Sequence, residues 1–378
     1  MYTGPNIERD GLVFGYDTGY GVADNSTATR FYKGKPVVNM LSYGDDFNSW
    51  TKAKNSGSYP TINTKIKEGP IAGTMADRLS LPSDGSYPRI YQNFTPTSTT
   101  AHVFSVWLKG ETTGQGCFVG AFRNSPWSSP SSTNFNITTE WVKYSFSINP
   151  ADTTSHQIYI GSHNSHGGKS FLISKAQLAP GTISSPFTNG TRSSTDALID
   201  LTRTTTIDVA NVSFDSTGQP TFDGTDDKID ITFPTLNSSF GSIEVIVARK
   251  DTTTNSFIFS SVGGSTNRYY LRHAGSTSYD ACRGNPLSNA SFGTMTQDKF
   301  YHLVMTWNAN TIYAYTNGEL MNTSGYTNPG TSITSGNIGQ GPGTHVMADL
   351  PVFKIHNQIL SATEIKQNFN AYKNRFNI

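Results

Sequence analysis

Carboxylates are the first residues to weigh for chemistry in this chain. Cleaving a glycosidic bond takes two of them, one acting as acid and one as nucleophile or base, flanking the same bond. The strand-like runs that carry acids are KIDITF at 228–233 and SIEVIVARK at 242–250, each with a single one, Asp230 and Glu244. Neither run offers a pair. No nucleophile elbow, Gly-rich phosphate loop or zinc-protease helix occurs elsewhere. The residues therefore predict no catalytic site and a protein that is not an enzyme.

Metal and ligand chemistry has more candidates. Asp223, Asp226 and Asp227 cluster in TFDGTDD and could hold Ca²⁺ through carboxylate oxygens. The alternative, which the spacing favours, is that Asp-Gly and Asp-Asp build the turn, with Asp223 bonding nearby backbone N–H groups. His163 and His166 in HNSHGG supply half a tetrahedral site, so a third ligand would have to come from His156 or a second copy. Solvated loop histidines are the simpler reading. No cofactor is expected, Ca²⁺ being the one open case. Sugar binding needs exposed aromatic faces beside hydrogen-bonding side chains. Trp127 in NSPWSSPSS, Tyr87 in SDGSYPR and Tyr279 in STSYDACRG stand in loop-like surroundings and are the candidates. Trp107, Trp141 and Trp307 lie inside strand patterns and are expected in the core.

Those residues must be held by a β-rich scaffold. Only 15% of the 378 residues are charged and the net charge is +1, which makes no case for nucleic acid or an anionic membrane. No apolar run approaches the ~20 residues of a membrane-spanning helix. The 35 Gly and 18 Pro, spread between short aromatic and β-branched runs, indicate an all-β chain with many turns. Cys117 and Cys282 lie far apart and read as free buried thiols. The N-terminal MYTGPNIERDG lacks the basic and apolar regions of a signal peptide. Extracellular-type composition without an export signal suits a chain made in a host cytoplasm and released by lysis as part of a virus particle.

The clearest local structure is KFYHLVMTWNANTIYAYTNGEL at 299–320. Tyr301, Leu303, Met305 and Trp307 share one face at period two, while His302, Val304 and Thr306 share the other. Asn317-Gly318 marks a type I′ hairpin turn, so a β-meander crossing the middle of a sheet is expected, with Trp307 as core anchor. Near the end, SATEIKQNFNAYKNRF predicts a helix. Ser361 and Glu364 have capping-box spacing, and Ile365, Phe369 and Tyr372 form an apolar stripe. In the middle block, WVKYSFSI at 141–148 gives Val142, Tyr144, Phe146 and Ile148 one apolar face. Residues 180–197, rich in Pro, Gly and Ser, are the best boundary.

A set of motifs carries a family likeness: Phe222-Asp223-Gly224 with Asp227, the W-x-x-x-x-I-x-x-Y-x-N-G hairpin from Trp307 to Gly318, and Leu360-Ser361 with Glu364-Ile365. Together they resemble concanavalin A-like, laminin-G-like lectin domains, closest to those on tailed-phage virion proteins. Within that likeness, GLVFGYDTG at 11–19 resembles the opening strand of the same domain, which would run directly into a segment like LIDLT at 198–202. The block between resembles a carbohydrate-binding-module-like jelly roll, through VFSVWLKG, TTEWVKYSFSI and ISKAQLAPGTISSPFTNGTR.

The resemblance implies an all-β fold of two β-sandwich (jelly-roll and concanavalin A-like) domains with a short C-terminal helix. Residues 1–10 would be an arm, 11–19 plus 195–378 the lectin-like sandwich, 20–39 a linker and 40–190 the inserted jelly roll. The initial strand should pair with the last one, around 351–356. Enzymes of this family carry Glu-x-Asp-x-x-Glu on one strand, which is missing here. The implied role is a capsid decoration, tail fibre or appendage protein that binds glycans and contacts other virion proteins. A homo-oligomer is expected, a trimer if fibre-like, with no nucleic acid or membrane partner. The alternatives are a tail depolymerase or glycosidase and a bacterial surface adhesin.

Overall fold

The computed structural model describes residues 7–19, 34–71, 73–112, 114–124, 128–162, 168–182, 184–215, 219–251, 255–261, 268–275 and 277–378. Most of the expected linker, 20–33, lies outside them. The fold is all-β, built of packed sheets with a C-terminal helix and, among the described residues, short helical turns at Phe47–Ser49 and Ser194–Ala197. The described residues divide into two compact units, 7–19 with 34–35 and 194–378, and 36–193.

In the first unit, one sheet runs Ser213–Phe214, Pro220–Asp223, Met347–His356, Gly241–Arg249, Phe300–Trp307, Thr311–Thr316, Glu319–Gly325. The other runs Ile229–Leu236, Ile333–Ile338, Ser256–Ser261, Tyr269–His273, Ser278–Arg283, Ser288–Thr294. Period-two alternation sends Leu303, Met305 and Trp307 into the core they share with Ile243, Val245 and Phe353. Trp307 is fully buried, edge-on to Tyr269 at 5.4 Å between ring centres. Asn317 and Gly318 take positive φ of 52° and 81°, as the hairpin turn requires. The meander does not cross the middle of its sheet, however. Its last strand, Glu319–Gly325, is an edge.

Leu12–Asp17 pairs antiparallel with Met347–His356, Tyr16 opposite Phe353 and Asp17 opposite Val352. Phe14 and Tyr16 are fully buried against Phe353. Hiding each such side chain stabilises by roughly 1.5–3 kcal/mol, which a free strand would forgo. The LIDLT segment returns to the same strand, since Leu201 N donates to Gly15 O at 2.7 Å and Gly15 N donates to Asp200 Oδ1 at 3.0 Å. Asp200 is buried and also accepts from the backbone N–H groups of Thr202, Thr204 and Thr205. One carboxylate thus organises a whole loop against the opening strand.

The helix spans Ala362–Phe376, and its capping box is present: Glu364 N donates to Ser361 Oγ while Glu364 Oε2 accepts from Ser361 N. Its buried face is Ile365, Asn368, Ala371, Tyr372 and Phe376. Phe369 is only half-buried, its ring 6.3 Å from that of His302. The stripe is rotated from the expected one because a polar residue, Asn368, occupies its centre. The expected N-terminal arm is docked where it is described. Ile7 packs with Tyr372 and Phe376, and Glu8 N donates to Asn368 Oδ1 at 2.7 Å.

The second unit has two five-stranded sheets. One runs Val142–Ile148, His102–Gly110, Lys169–Pro180, Met75–Leu81, Thr61–Glu68, and the other Thr51–Ala53, Arg89–Phe94, His156–Gly161, Gln115–Arg123, Ser128–Ile137. Tyr144, Phe146 and Ile148 join Phe104, Val106 and Leu108 on the core side. Trp107 and Trp141, expected in the core, are half-buried and outside it. Among the described residues, Trp50 is the tryptophan buried in this unit's core. Val37–Val38 pairs with Thr191–Arg192, joining the two ends of this unit.

Candidate functional site

In the second unit, Ile90, Phe94, Val119, Ala121, Ile158 and Ile160 point into the core. Alternation then places Arg89, Tyr91, Phe118, Phe122, Gln157 and Tyr159 on the opposite face of the sheet. The register aligns them in rows: Tyr91 opposite Tyr159, Asn93 opposite Gln157, and Gln157 opposite Phe122. The rings of Phe122 and Tyr159 stack at 4.2 Å and 14°, and Phe118 leans on Tyr159 at 5.4 Å. Phe122 and Tyr159 are 3% and 8% exposed, so they form a floor. Tyr91, Phe118, Tyr87 and Arg89 are half-buried and reach the surface around it.

Glycine makes that floor possible. Gly120 stands opposite Tyr159 in the register, and a Cβ there would lie 2.4 Å from Phe122 Cε2. Without it, Phe122 can lie flat over the strand and reach Tyr159. Burial pushes the Tyr159 hydroxyl well above its ordinary pKa, with Arg89 opposing and Tyr87 adding to the shift. The phenol therefore stays protonated, a neutral donor at any physiological pH.

Arg89 supplies the polar edge. Its Nη1 donates to Asn55 Oδ1 at 3.1 Å and to Tyr87 O at 3.0 Å, and its guanidinium lies 5.8 Å from the centre of the Tyr159 ring. Tyr87 has φ of 54°, a left-handed conformation that costs a non-glycine residue ~1–2 kcal/mol. Asn55 belongs to a loop that touches the 84–86 turn backbone to backbone, where Ser86 O accepts from Asn55 N at 3.0 Å. On the other sheet of this unit the outward face is crossed by its own chain. Lys143 Nζ donates to Ser185 O at 2.7 Å, Gln177 Nε2 to Ser185 Oγ at 2.9 Å, and Thr188 N to Gln177 Oε1 at 2.8 Å.

Of the aromatic candidates read from sequence, Tyr87 is brought to this face. Tyr279 is not available: it lies in strand Ser278–Arg283, is 1% exposed and packs on His273. Alternation toward the core overrode its loop-like neighbours. Trp127, His163 and His166 lie outside the described residues. His156, proposed as their third ligand, is fully buried against Phe94. The residues that sequence reasoning missed are Arg89, Tyr91, Phe118, Phe122 and Tyr159. The one signal for them was aromatic residues on the face of each strand opposite its aliphatic core residues, as in RIYQNF at 89–94 and CFVGAF at 117–122.

Asp223, Asp226 and Asp227 do come together, with ligand atoms within 4.8 Å of one another. Asp227 is nevertheless buried and accepts from Asp223 N at 2.9 Å, while Asp223 Oδ1 accepts from Thr225 N at 2.7 Å. Those bonds are what a self-capped turn requires. Burial raises the Asp227 carboxyl, opposed by the backbone N–H groups of Asp223 and Ser213 that donate to it. Cys117 and Cys282 are free, buried thiols, each pushed up to about 12 by burial.

The strand carboxylates are differently placed. Asp230 is exposed beside Lys228. Glu244 is fully buried under the C-terminal helix, 2.7 Å from His302 Nε2, 3.2 Å from Lys354 Nζ and 3.1 Å from Asn368 Nδ2. Burial alone would raise its pKa, but Lys354 and the histidine hydrogen bonds outweigh that and hold the carboxyl well below its ordinary value. It is a structural anion, with both oxygens engaged.

Residues 223–366 match the family model of the concanavalin A-like lectin/glucanases superfamily. This stretch is similar to those lectins and glucanases. A comparison with curated proteins found no match. Among solved structures, a botulinum neurotoxin type C structure, titled for its interaction with two ganglioside molecules, is 15% identical with a TM-score of 0.38, covering 47% of this chain and 49% of that one. A carbohydrate-binding-module structure titled CBM4 is 14% identical with a TM-score of 0.28, covering 40% and 99%. The bacteriophage CBA120 tailspike protein 4 is 16% identical with a TM-score of 0.30, covering 37% and 21%. The chain thus spans about half the length of the neurotoxin chain it matches.

Proposed function

We propose that this chain is a non-enzymatic glycan-binding component of a tailed-phage virion, a decoration, fibre or appendage protein, with the aromatic face of the second unit as its binding surface. The observation that carries the reading is the partly exposed set of Tyr91, Phe118, Tyr87 and Arg89, held in place by the buried stack of Phe122 and Tyr159 beneath it. Sugar C–H groups pack on aromatic rings, and the polar edges orient the hydroxyls. Binding without cleavage is supported by the engagement of Glu244 in a buried ion cluster and by the lack of an acid partner on its strand. The virion role rests on the motif likeness and the low-charge composition.

A glycan array probed with the full chain tests the binding. Retention of surface polysaccharides by wild type and their loss in Y91A/F118A is the expected result. Release of reducing ends from a bound polysaccharide would replace this reading with a depolymerase. Peptide mass spectrometry of purified particles tests the virion role, and light scattering tests the side-by-side trimer we propose.

A further inference from the structure

We infer that the glycan read by this face is anionic, its carboxylate docking on the outer edge of the Arg89 guanidinium. The inference rests on the reading of the face as a glycan site and names the class of sugar.

Arg89 is half-buried, yet among the described residues no carboxylate pairs with it. Its two protein hydrogen bonds, to Asn55 Oδ1 and Tyr87 O, both leave from Nη1. Nε and Nη2 keep their donors for something else. The guanidinium also lies 5.8 Å from the centre of the Tyr159 ring, so its position is held by that ring as well as by the two bonds from Nη1. A guanidinium with one nitrogen anchored and an adjacent N–H pair open matches the two oxygens of a carboxylate.

The neighbouring charges, Lys54 and Asp84, offset one another and leave that of Arg89 unopposed. Lys54, beside Asn55, sits 4.4 Å from the centre of the exposed Tyr59 ring and donates to Gly57 O. The acid of this loop pair, Asp84, is occupied by Ser58 N at 3.0 Å and Ser58 Oγ at 2.6 Å. The other polar groups near the floor, Asn55, Asn93 and Gln157, are neutral. An arginine serving only to strut the 54–57 loop would need Nη1 and no more. The open edge is what a strut leaves unexplained.

The test is titration calorimetry of the full chain with uronic-acid oligosaccharides (galacturonate, glucuronate and mannuronate-guluronate series), with their methyl esters, and with neutral gluco- and manno-oligosaccharides. At least one acidic series should bind about tenfold or more tightly than its own ester, as expected for one charge-assisted hydrogen-bond pair. That preference should shrink with added salt, and R89Q and R89K should each erase it, R89K because it keeps the charge but loses the fork. Circular dichroism and the melting temperature of each variant show whether it is folded. If R89Q fails to fold, the acid-to-ester ratio on wild type decides alone. Binding of neutral sugars or esters as tight as that of the acids overturns the inference and leaves the glycan site standing. An acid preference that survives in a folded R89Q also overturns it. Binding of no sugar in any series removes the glycan reading itself.

Discussion

The ring of Phe122 lies 4.2 Å from that of Tyr159 and within 14° of parallel, across the position where Gly120 has no side chain. The stack is therefore a property of three strand residues together. Gly120→Ala would place a methyl 2.4 Å from Phe122 Cε2 and displace the ring. The expected cost is ~1–3 kcal/mol, as for overpacking a filled site, read as a lower urea midpoint. Glycan affinity should fall with it. An unchanged midpoint together with unchanged binding would show that the stack is dispensable.

Glu244 gives the first unit an acid-sensitive joint. Its folded-state carboxyl sits well below the ordinary 4.5, so its stabilisation is fully present above that value. The contribution is lost as pH falls below it toward the lowered folded value. Stability of wild type should drop on the acid side, and E244Q should lose that part of the slope. At neutral pH, E244Q leaves the buried Lys354 without its anion and should cost ~3–5 kcal/mol, measured by denaturant titration.

The helix docks through Tyr372 and Ile365 more than through Phe369. Tyr372→Ala and Ile365→Ala should each destabilise by ~2–5 kcal/mol, whereas the half-buried Phe369 should give the smallest loss of the three. Equal effects at all three positions would contradict the observed rotation of the stripe.

Phe14→Ala should destabilise the first unit by ~3–5 kcal/mol, because its ring is completely buried against Phe353 in the shared core. Intrinsic fluorescence of Trp307, in that core, is a suitable probe. A midpoint within error of wild type would mean the opening strand is not part of the cooperative unit.

At the Asp223 turn, Ca²⁺ addition and chelation should leave the melting temperature unchanged, since Asp227 already serves backbone donors. Asp227→Ala should cost ~1–3 kcal/mol for the amides left unpaired. A Ca²⁺-dependent rise in melting temperature would instead make the turn a metal site.

Local regularities were legible in the sequence because they depend on neighbours a few residues apart. Alternation revealed the strands of the meander and the core side of Val142–Ile148, Asn317-Gly318 revealed its turn, and Ser361 with Glu364 revealed the start of the helix. The apolar face of Leu12–Asp17 also required a distant partner, although alternation alone could not name it. Tertiary structure decided what register and packing decide. It sent Tyr279 into the core, moved Trp107 and Trp141 out of it, and put Asn368 at the centre of the helix face over Glu244. The binding face was illegible for the same reason. Arg89, Phe122 and Tyr159 come from three strands, and only the pairing of those strands, with a glycine between two rings, brings them to one surface.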